Sequence, residues 1–236
     1  MFKRLRMFVG GFYFKHFKKV YKKNNLVIHV PFDQTDYVFL GRFVFNSYEE
    51  EEARYLSQYL RPDSKVLELG ACLGYVSCLT NQLLTDKTKH VVLEANPKLI
   101  PSILRNKKAN SCGFQIENTV ISKQNSNDFY IHDLIVGGSS KRKTVHKIAV
   151  EGTDFEKLSN KYGFEFDTLI MDIEGGELDL LRNFKEDISK FDTVFVEVHP
   201  FANILTQNEA QECEDILSSL GFNVLVRDGN FQIWKK

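Results

Sequence analysis

The chain has 236 residues, 43% of them hydrophobic, and its basic and acidic side chains balance to a formal net charge of zero. That is enough for one good core, a single domain of ordinary to large size with room for a small appendage, and the charge total gives no support to nucleic-acid binding. The charge is unevenly placed: residues 1–32 hold Lys3, Arg4, Arg6, Lys15, Lys18, Lys19, Lys22 and Lys23 and no acid, so the remaining 204 residues carry 23 basic and 31 acidic side chains.

Residues 1–25 read as a basic amphipathic arm. The run "MFVGGFYF" is far shorter than the roughly 20 apolar residues that span a bilayer. It is followed by "KHFKKVYKK", not by a small-residue cleavage site, which argues against secretion. Phe2, Leu5, Val9, Phe12, Tyr13, Phe17, Val20 and Tyr21 recur near helical spacing with Lys and Arg between them. Such a helix can lie in an anionic membrane interface, or the arm can fold its aromatics onto the body. Gly10-Gly11 argues against one continuous helix. Residues 26–62 supply two strands, "LVIHV" and "DYVFLGRFVF", the second bent at Gly41. A helix, "YEEEEARYLSQYL", follows, capped by Ser47 and ended by Pro62.

From 63 to 236 strands and helices alternate. Strands are predicted at 65–69, 90–95, 114–122, 166–173 and 192–198, and helices at 74–84, 97–110, 176–184 and 208–221. The closing "FNVLVRDGNFQIWKK" is a hairpin about Asp228-Gly229, with its last strand antiparallel beside the fifth. The fold class is therefore α/β and Rossmann-like: a mostly parallel seven-stranded sheet with an antiparallel C-terminal hairpin strand and helices on both faces. The alternation is broken by an insertion at about 123–152, read as strands at 128–136 and 144–150 joined by "GGSSKRK". Thr153 or Asp154 then caps a short helix. The four cysteines, Cys72, Cys78, Cys112 and Cys213, form no C-x-x-C pair and read as buried apolar residues in a reducing, cytoplasmic setting, with peripheral contact at the inner face of the membrane as an extension.

Candidate site residues stand at the ends of the predicted strands. "VLELGACLGY" gives Gly70 and Gly74, with Cys72 where a dinucleotide-binding turn has its middle glycine, and Tyr75 opening the helix. Such a turn is a poor cradle for pyrophosphate, and Glu68 would repel phosphate and attract an ammonium. "VVLEANP" places Glu94, followed by Ala95, where an acid accepts ribose hydroxyls. A nucleoside bearing an amino acid, S-adenosylmethionine, satisfies all three. The strand "DTLIMDIEGGELDLL" then runs into Asp172, Glu174, Glu177 and Asp179, and "VFVEVHP" ends on Glu197 and His199.

These motifs resemble the FkbM family of S-adenosylmethionine-dependent methyltransferases over roughly residues 45–200, most specifically in "LIMDIEGGELDLLRNF". Cys72 and Met171 depart from the family's usual Asn and Lys. The resemblance implies the class I methyltransferase fold and methyl transfer to a hydroxyl of a sugar, a glycan or glycolipid, or a secondary metabolite. Asp172 would hold the acceptor or the donor's amino end, Glu174 would hydrogen-bond sugar hydroxyls, and His199, beside Glu197, would be the general base. Glu177 is either part of that group or an acid stabilised by its helix N-terminus. Asp172, Glu197 and His199 could also hold a divalent cation, but the reading adopted is metal-free. The alternatives are an NAD(P)- or nucleotide-sugar-binding Rossmann enzyme and a non-catalytic membrane-associated scaffold. The expected partners are a small-molecule or glycan acceptor and an anionic membrane through residues 1–25, and not nucleic acid.

Overall fold

A computed structural model describes residues 2–131, 146–200 and 204–236. The chain enters through α1 (Phe2–Tyr13), which continues into a π-helical turn at Phe14–Lys18. It then forms the hairpin β1 (Val20–Lys23) and β2 (Leu26–His29), turned by Asn24 and Asn25 in the left-handed region. The domain boundary expected at 25/26 thus falls inside a hairpin in which Lys23 pairs with Leu26. Phe14 and Tyr21 are buried with Leu26 and Ile28, so this part of the arm belongs to the body.

The stretch expected as a bent strand is instead the helix α2 (Tyr37–Val44). Its aromatic and β-branched composition is overridden by an N-cap, since the Asp36 carboxylate accepts the Phe39 N–H at 2.7 Å. Gly41 is a helix-crossing point and not a bend: a Cβ there would overlap the Met7 carbonyl oxygen of α1. Gly11 makes the reciprocal approach to the Tyr37 carbonyl. The glycine pair that argues against a continuous helix therefore lies within one, because the two backbones meet there. The helix α3 (Glu50–Tyr59) starts after Glu49, not at Ser47.

The alternating part follows the sequence pattern closely. β3 (Val66–Leu69), α4 (Tyr75–Leu83), β4 (His90–Leu93), α5 (Ile100–Ala109) and β5 (Gln115–Glu117) come first. The expected strand at 114–122 breaks after β5, and the chain leaves the main sheet to form β6 (Val120–Ile121). β6, β7 (Ser126–Ile131) and β8 (His146–Thr153) make a separate three-stranded sheet. The loop "GGSSKRK" lies outside the described residues. Asp154 caps α6 (Phe155–Tyr162), accepting the Lys157 N–H at 2.8 Å. Then come β9 (Thr168–Met171), α7 (Glu177–Asn183), α8 (Lys185–Ile188), β10 (Thr193–Glu197), α9 (Gln207–Ser219), β11 (Asn223–Asp228) and β12 (Phe231–Lys235).

The main sheet has the order β11-β12-β10-β9-β3-β4-β5, with β12 antiparallel to both neighbours. From β3 the chain winds to β4 and β5 on one side, and it returns to β9 on the other, so the topological switch lies between β3 and β9. One face is covered by α6, α7 and α9, the other by α3, α4 and α5. The β1–β2 hairpin is fastened to α5 by two asparagine amides. Asn106 and Asn110 each accept the N–H and donate to the carbonyl of one β2 residue, His29 and Val27 respectively, in place of a neighbouring strand.

Candidate active site

The register of the sheet assembles the site. Leu69 pairs with Leu93 and with Met171, and Met171 pairs with Val196. The next residues, Gly70, Glu94, Asp172 and Glu197, therefore emerge side by side beyond four parallel strands. They border a cavity of about 730 Å³ that Ala95, Asn96, Glu174 and His199 also line, together with Lys123 from the turn after β6 and Asn127 from β7.

The turn after β3 is held from below. Glu94 Oε2 accepts the N–H groups of Ala71 and Cys72, both at 3.0 Å, and Oε1 accepts the Asn96 N–H at 2.7 Å. Burial pushes the Glu94 carboxyl above its usual range even against those three donors. Gly70 has φ +85° and lies against the Asp172 carbonyl, where a Cβ would overlap. Cys72, at the position of the missing glycine, is itself left-handed, with φ 49°. Glu49 (φ 48°) and Glu174 (φ 50°) share that conformation, and all three line the cavity. Non-glycine residues held there cost roughly 1–3 kcal/mol each and gather at functional sites.

The acids form one electrostatic unit with His199. His199 Nδ1 is 3.2 Å from Glu177 Oε1, and Nε2 is 3.5 Å from Asp172 Oδ1 and 3.9 Å from Glu197 Oε1. Burial alone would lower the imidazole pKa. The bond to Glu177 and the charges of Asp172, Glu177 and Glu197 outweigh it and raise the pKa to about 10. These partners favour the imidazolium form of His199, where the sequence suggested a free base. Asp172 is pushed well above the carboxylate range, first by burial and then by Glu197, with His199 opposing. Its buried Oδ1 has no hydrogen-bond partner, and neither does Glu177 Oε2. One ligand atom from each of Asp172, Glu177 and His199 lies within 4.8 Å of the others, so the group that could hold a cation includes Glu177 rather than Glu197.

Two further acids, Glu49 just before α3 and Glu52 in its first turn, converge on this unit, and sequence reasoning missed their role. Burial and the charge of Glu197 push Glu52 up to about 8, and burial with Glu52, Asp172 and Glu197 holds Glu49 well above its usual range. Both belong to the run "YEEEEARYLSQYL", in which acids at a helix start ordinarily serve its first turn. The signal was their spacing: Glu52, Ala53 and Leu56 form the buried stripe of α3, and Glu49 stands three residues before Glu52 at its N-cap.

Three expected cofactor residues lie elsewhere. Glu68 is fully buried and points into the sheet's interior, accepting from Ser77 Oγ and from His90 Nε2, the latter at 3.0 Å. Its side chain is committed to these two partners and does not line the cavity. Tyr75 is buried among Tyr21 and Tyr48, and its hydroxyl accepts from Asn24 Nδ2 at 3.0 Å. Gly74, φ +74°, opens α4 and packs against Ile103. Alternation explains the error for Glu68: two residues before Gly70, its side chain is still within the strand's packed region.

Comparison with known proteins is consistent with this architecture. The family described as "Methyltransferase FkbM domain" matches residues 68–224, about two thirds of the chain. A search of curated proteins gives no match. Among solved structures, the chain is similar to a Clostridium thermocellum protein described as an rRNA-methylase (6% identity, 79% of this chain and 93% of that one, TM-score 0.51). It is also similar to precorrin-6y C5,15-methyltransferase from Geobacter metallireducens (15% identity, 80% and 89%, TM-score 0.49) and to the O-methyltransferase from Bacillus cereus in complex with SAH (12% identity, 79% and 81%, TM-score 0.47). The first of these likenesses shows the shared fold.

Proposed function

Because the chain belongs to the FkbM methyltransferase domain family and is an S-adenosylmethionine-dependent methyltransferase, we propose that it transfers the methyl group to a hydroxyl of a sugar, a glycan or glycolipid, or a secondary metabolite. One observation carries this reading: Glu94, Asp172 and Glu197 stand level beyond parallel strands and face one cavity, whose volume of about 730 Å³ lies in the range of small-molecule sites.

The residues present fit the donor. Glu94 keeps one Oε1 lone pair beyond its three backbone bonds, enough for one ribose hydroxyl, and Ala95 and Asn96 continue that wall. The excess of carboxylates around Asp172 favours a ligand carrying a sulfonium and an ammonium. When bound, S-adenosylmethionine supplies a methyl group already activated by its positive sulfur. The chain's own task is to align the acceptor oxygen and take its proton. Asp172, whose Oδ1 faces His199 Nε2 at 3.5 Å, is the proton acceptor in this reading, and Glu174 and Glu197 hold the acceptor's hydroxyls. His199, protonated, keeps Asp172 and Glu197 in place and offsets their charge, and Glu177 fixes its ring.

In the same reading the arm makes peripheral contact with anionic membrane. The test of the main reading is calorimetric titration with S-adenosylmethionine, followed by transfer of tritiated methyl into cell-envelope fractions. Micromolar donor binding and label in glycan or lipid, lost in Asp172→Asn, are expected. Absence of donor binding, or label only in RNA or protein, overturns it.

A further inference from the structure

The arm resolves into two parts with opposite fates. Phe14 and Tyr21 are buried, whereas Phe2 (89% exposed), Leu5, Phe8, Val9 (59%), Phe12, Tyr13 and Phe17 (69%) all face outward. Elsewhere among the described residues, only Leu104, Val224 and Leu225 are large apolar side chains of comparable exposure. The outer stripe is thus only partly folded onto the body, because α1 spends its glycine face on α2 and leaves Phe2, Leu5, Val9, Tyr13 and Phe17 largely exposed. Met7, Gly10 and Gly11 meet Gly41, Phe45 and Tyr37, and the half-exposed Phe8 and Phe12 flank that contact with their rings against Tyr37, while the other five stay turned outward.

The rim of the stripe is basic. Lys3, Arg4, Arg6, Lys15, Lys18 and Lys19 flank it, and the first acid of the chain is Asp33. A shallow groove between α1 and the start of α2 is lined by Arg4, Leu5, Phe8, Lys15, Asp36 and Tyr37. Asp36 is its one acid, and that carboxylate is committed to capping α2. α2 also reaches the active site, since Arg42 lines the large cavity while Gly41, the residue before it, touches α1.

From this placement we propose that α1 and α2 form an interfacial dock for an anionic bilayer. The stripe Phe2–Phe17 enters the acyl boundary, and a phosphate-bearing lipid headgroup sits in the groove against Arg4 and Lys15. The cavity, one helix away, then opens beside the membrane surface, so the acceptor is a hydroxyl carried on a membrane-anchored molecule; this last step rests on the methyl-transfer reading. A second copy of the chain is the poorer occupant, because a two-fold interface through α1 would set two wholly basic arms against each other.

The test uses the full chain and vesicles of phosphatidylcholine alone or with about 30% phosphatidylglycerol, which makes the surface anionic, read by co-sedimentation. Binding to the anionic vesicles only, weakening with salt, is expected. Leu5→Glu with Val9→Glu removes two exposed apolar groups while leaving the Gly10, Gly11 and Met7 contacts with α2 in place, and should lower partitioning at least about tenfold. Arg4→Glu with Lys15→Glu should do the same. Donor affinity, measured separately, should stay unchanged in both variants, which distinguishes failure of the dock from failure of the methyltransferase site. No binding to anionic vesicles, binding unchanged in the variants, or a dimer in sedimentation that Leu5→Glu with Val9→Glu dissolves would each overturn the proposal.

Discussion

Removing the Glu94 carboxylate should cost both stability and donor affinity, and the two losses can be separated. In Glu94→Ala the N–H groups of Ala71, Cys72 and Asn96 lose their acceptor. A hydrogen bond to a charged group is worth roughly 1.5–3 kcal/mol net, and water entering from the cavity can replace part of that. A total loss of about 2–4 kcal/mol follows, or roughly a 5–15 °C fall in Tm for a chain of this length. Glu94→Gln keeps one oxygen for Ala71 and Cys72 but turns its NH₂ toward the Asn96 N–H, so about 1–2 kcal/mol is expected. Donor affinity should drop at least about tenfold in both, equivalent to about 1.4 kcal/mol. Circular-dichroism melting and calorimetric titration measure the two effects. If Glu94→Ala melts within a degree of the wild type, the carboxylate does not hold the turn. If it melts early yet binds donor normally, its place at the ribose is wrong.

Two glycine substitutions in α1 should differ in sign. Gly10→Ala meets only the Phe45 ring edge at 2.8 Å, which can swing aside, so the helix-propensity gain of up to about 1 kcal/mol leaves it neutral or slightly stabilising. Gly11→Ala drives its methyl into the Tyr37 backbone and should cost about 2 kcal/mol net, with faster proteolysis of the arm; a gain in Tm would mean that α1 does not pack on α2. Stability should fall from mildly acidic to alkaline pH. His199, raised from 6.5 to about 10, stabilises fully below pH 6.5 and loses that contribution as pH rises toward 10. Glu52, raised from 4.5 to about 8, acts in the same direction between those values. Urea midpoints that rise from pH 6 to 9 would contradict both assignments, and His199→Gln should flatten the upper limb. Finally, Glu68→Gln should lower Tm through the Ser77 and His90 bonds while leaving donor affinity intact; a tenfold affinity loss with unchanged Tm would return Glu68 to the site.

The sheet and the convergence of its strand-tip residues were legible because both depend on local periodicity. Short apolar runs ending in Gly70, Glu94, Asp172 and Glu197 announce parallel strands, and a parallel sheet sets strand ends level, so tip residues predict their own convergence. What failed depended on contacts distant in sequence. "DYVFLGRFVF" has the composition of a strand, and only the crossing with Met7 and the Asp36 cap make it helical. Glu68 has the charge of a ligand residue but sits one alternation too deep, where Ser77 and His90 claim it.

Glu49 and Glu52 show why the acidic count at the site was low. Nothing near them in the sequence is catalytic, and a run of four glutamates before an apolar helix reads as capping charge. Their stripe points inward because α3 crosses the C-terminal side of β9 and β10, bringing both acids to Asp172 and Glu197. Each added carboxylate raises the others' pKa, so the site holds protons that it would release when a cation arrives. Donor binding should therefore tighten as pH rises through the range in which Glu52 titrates, opposite to the trend in stability. A calorimetric series from pH 6 to 9 in two buffers of different ionisation enthalpy measures the protons released, and zero release would show that the acids are not coupled to the donor.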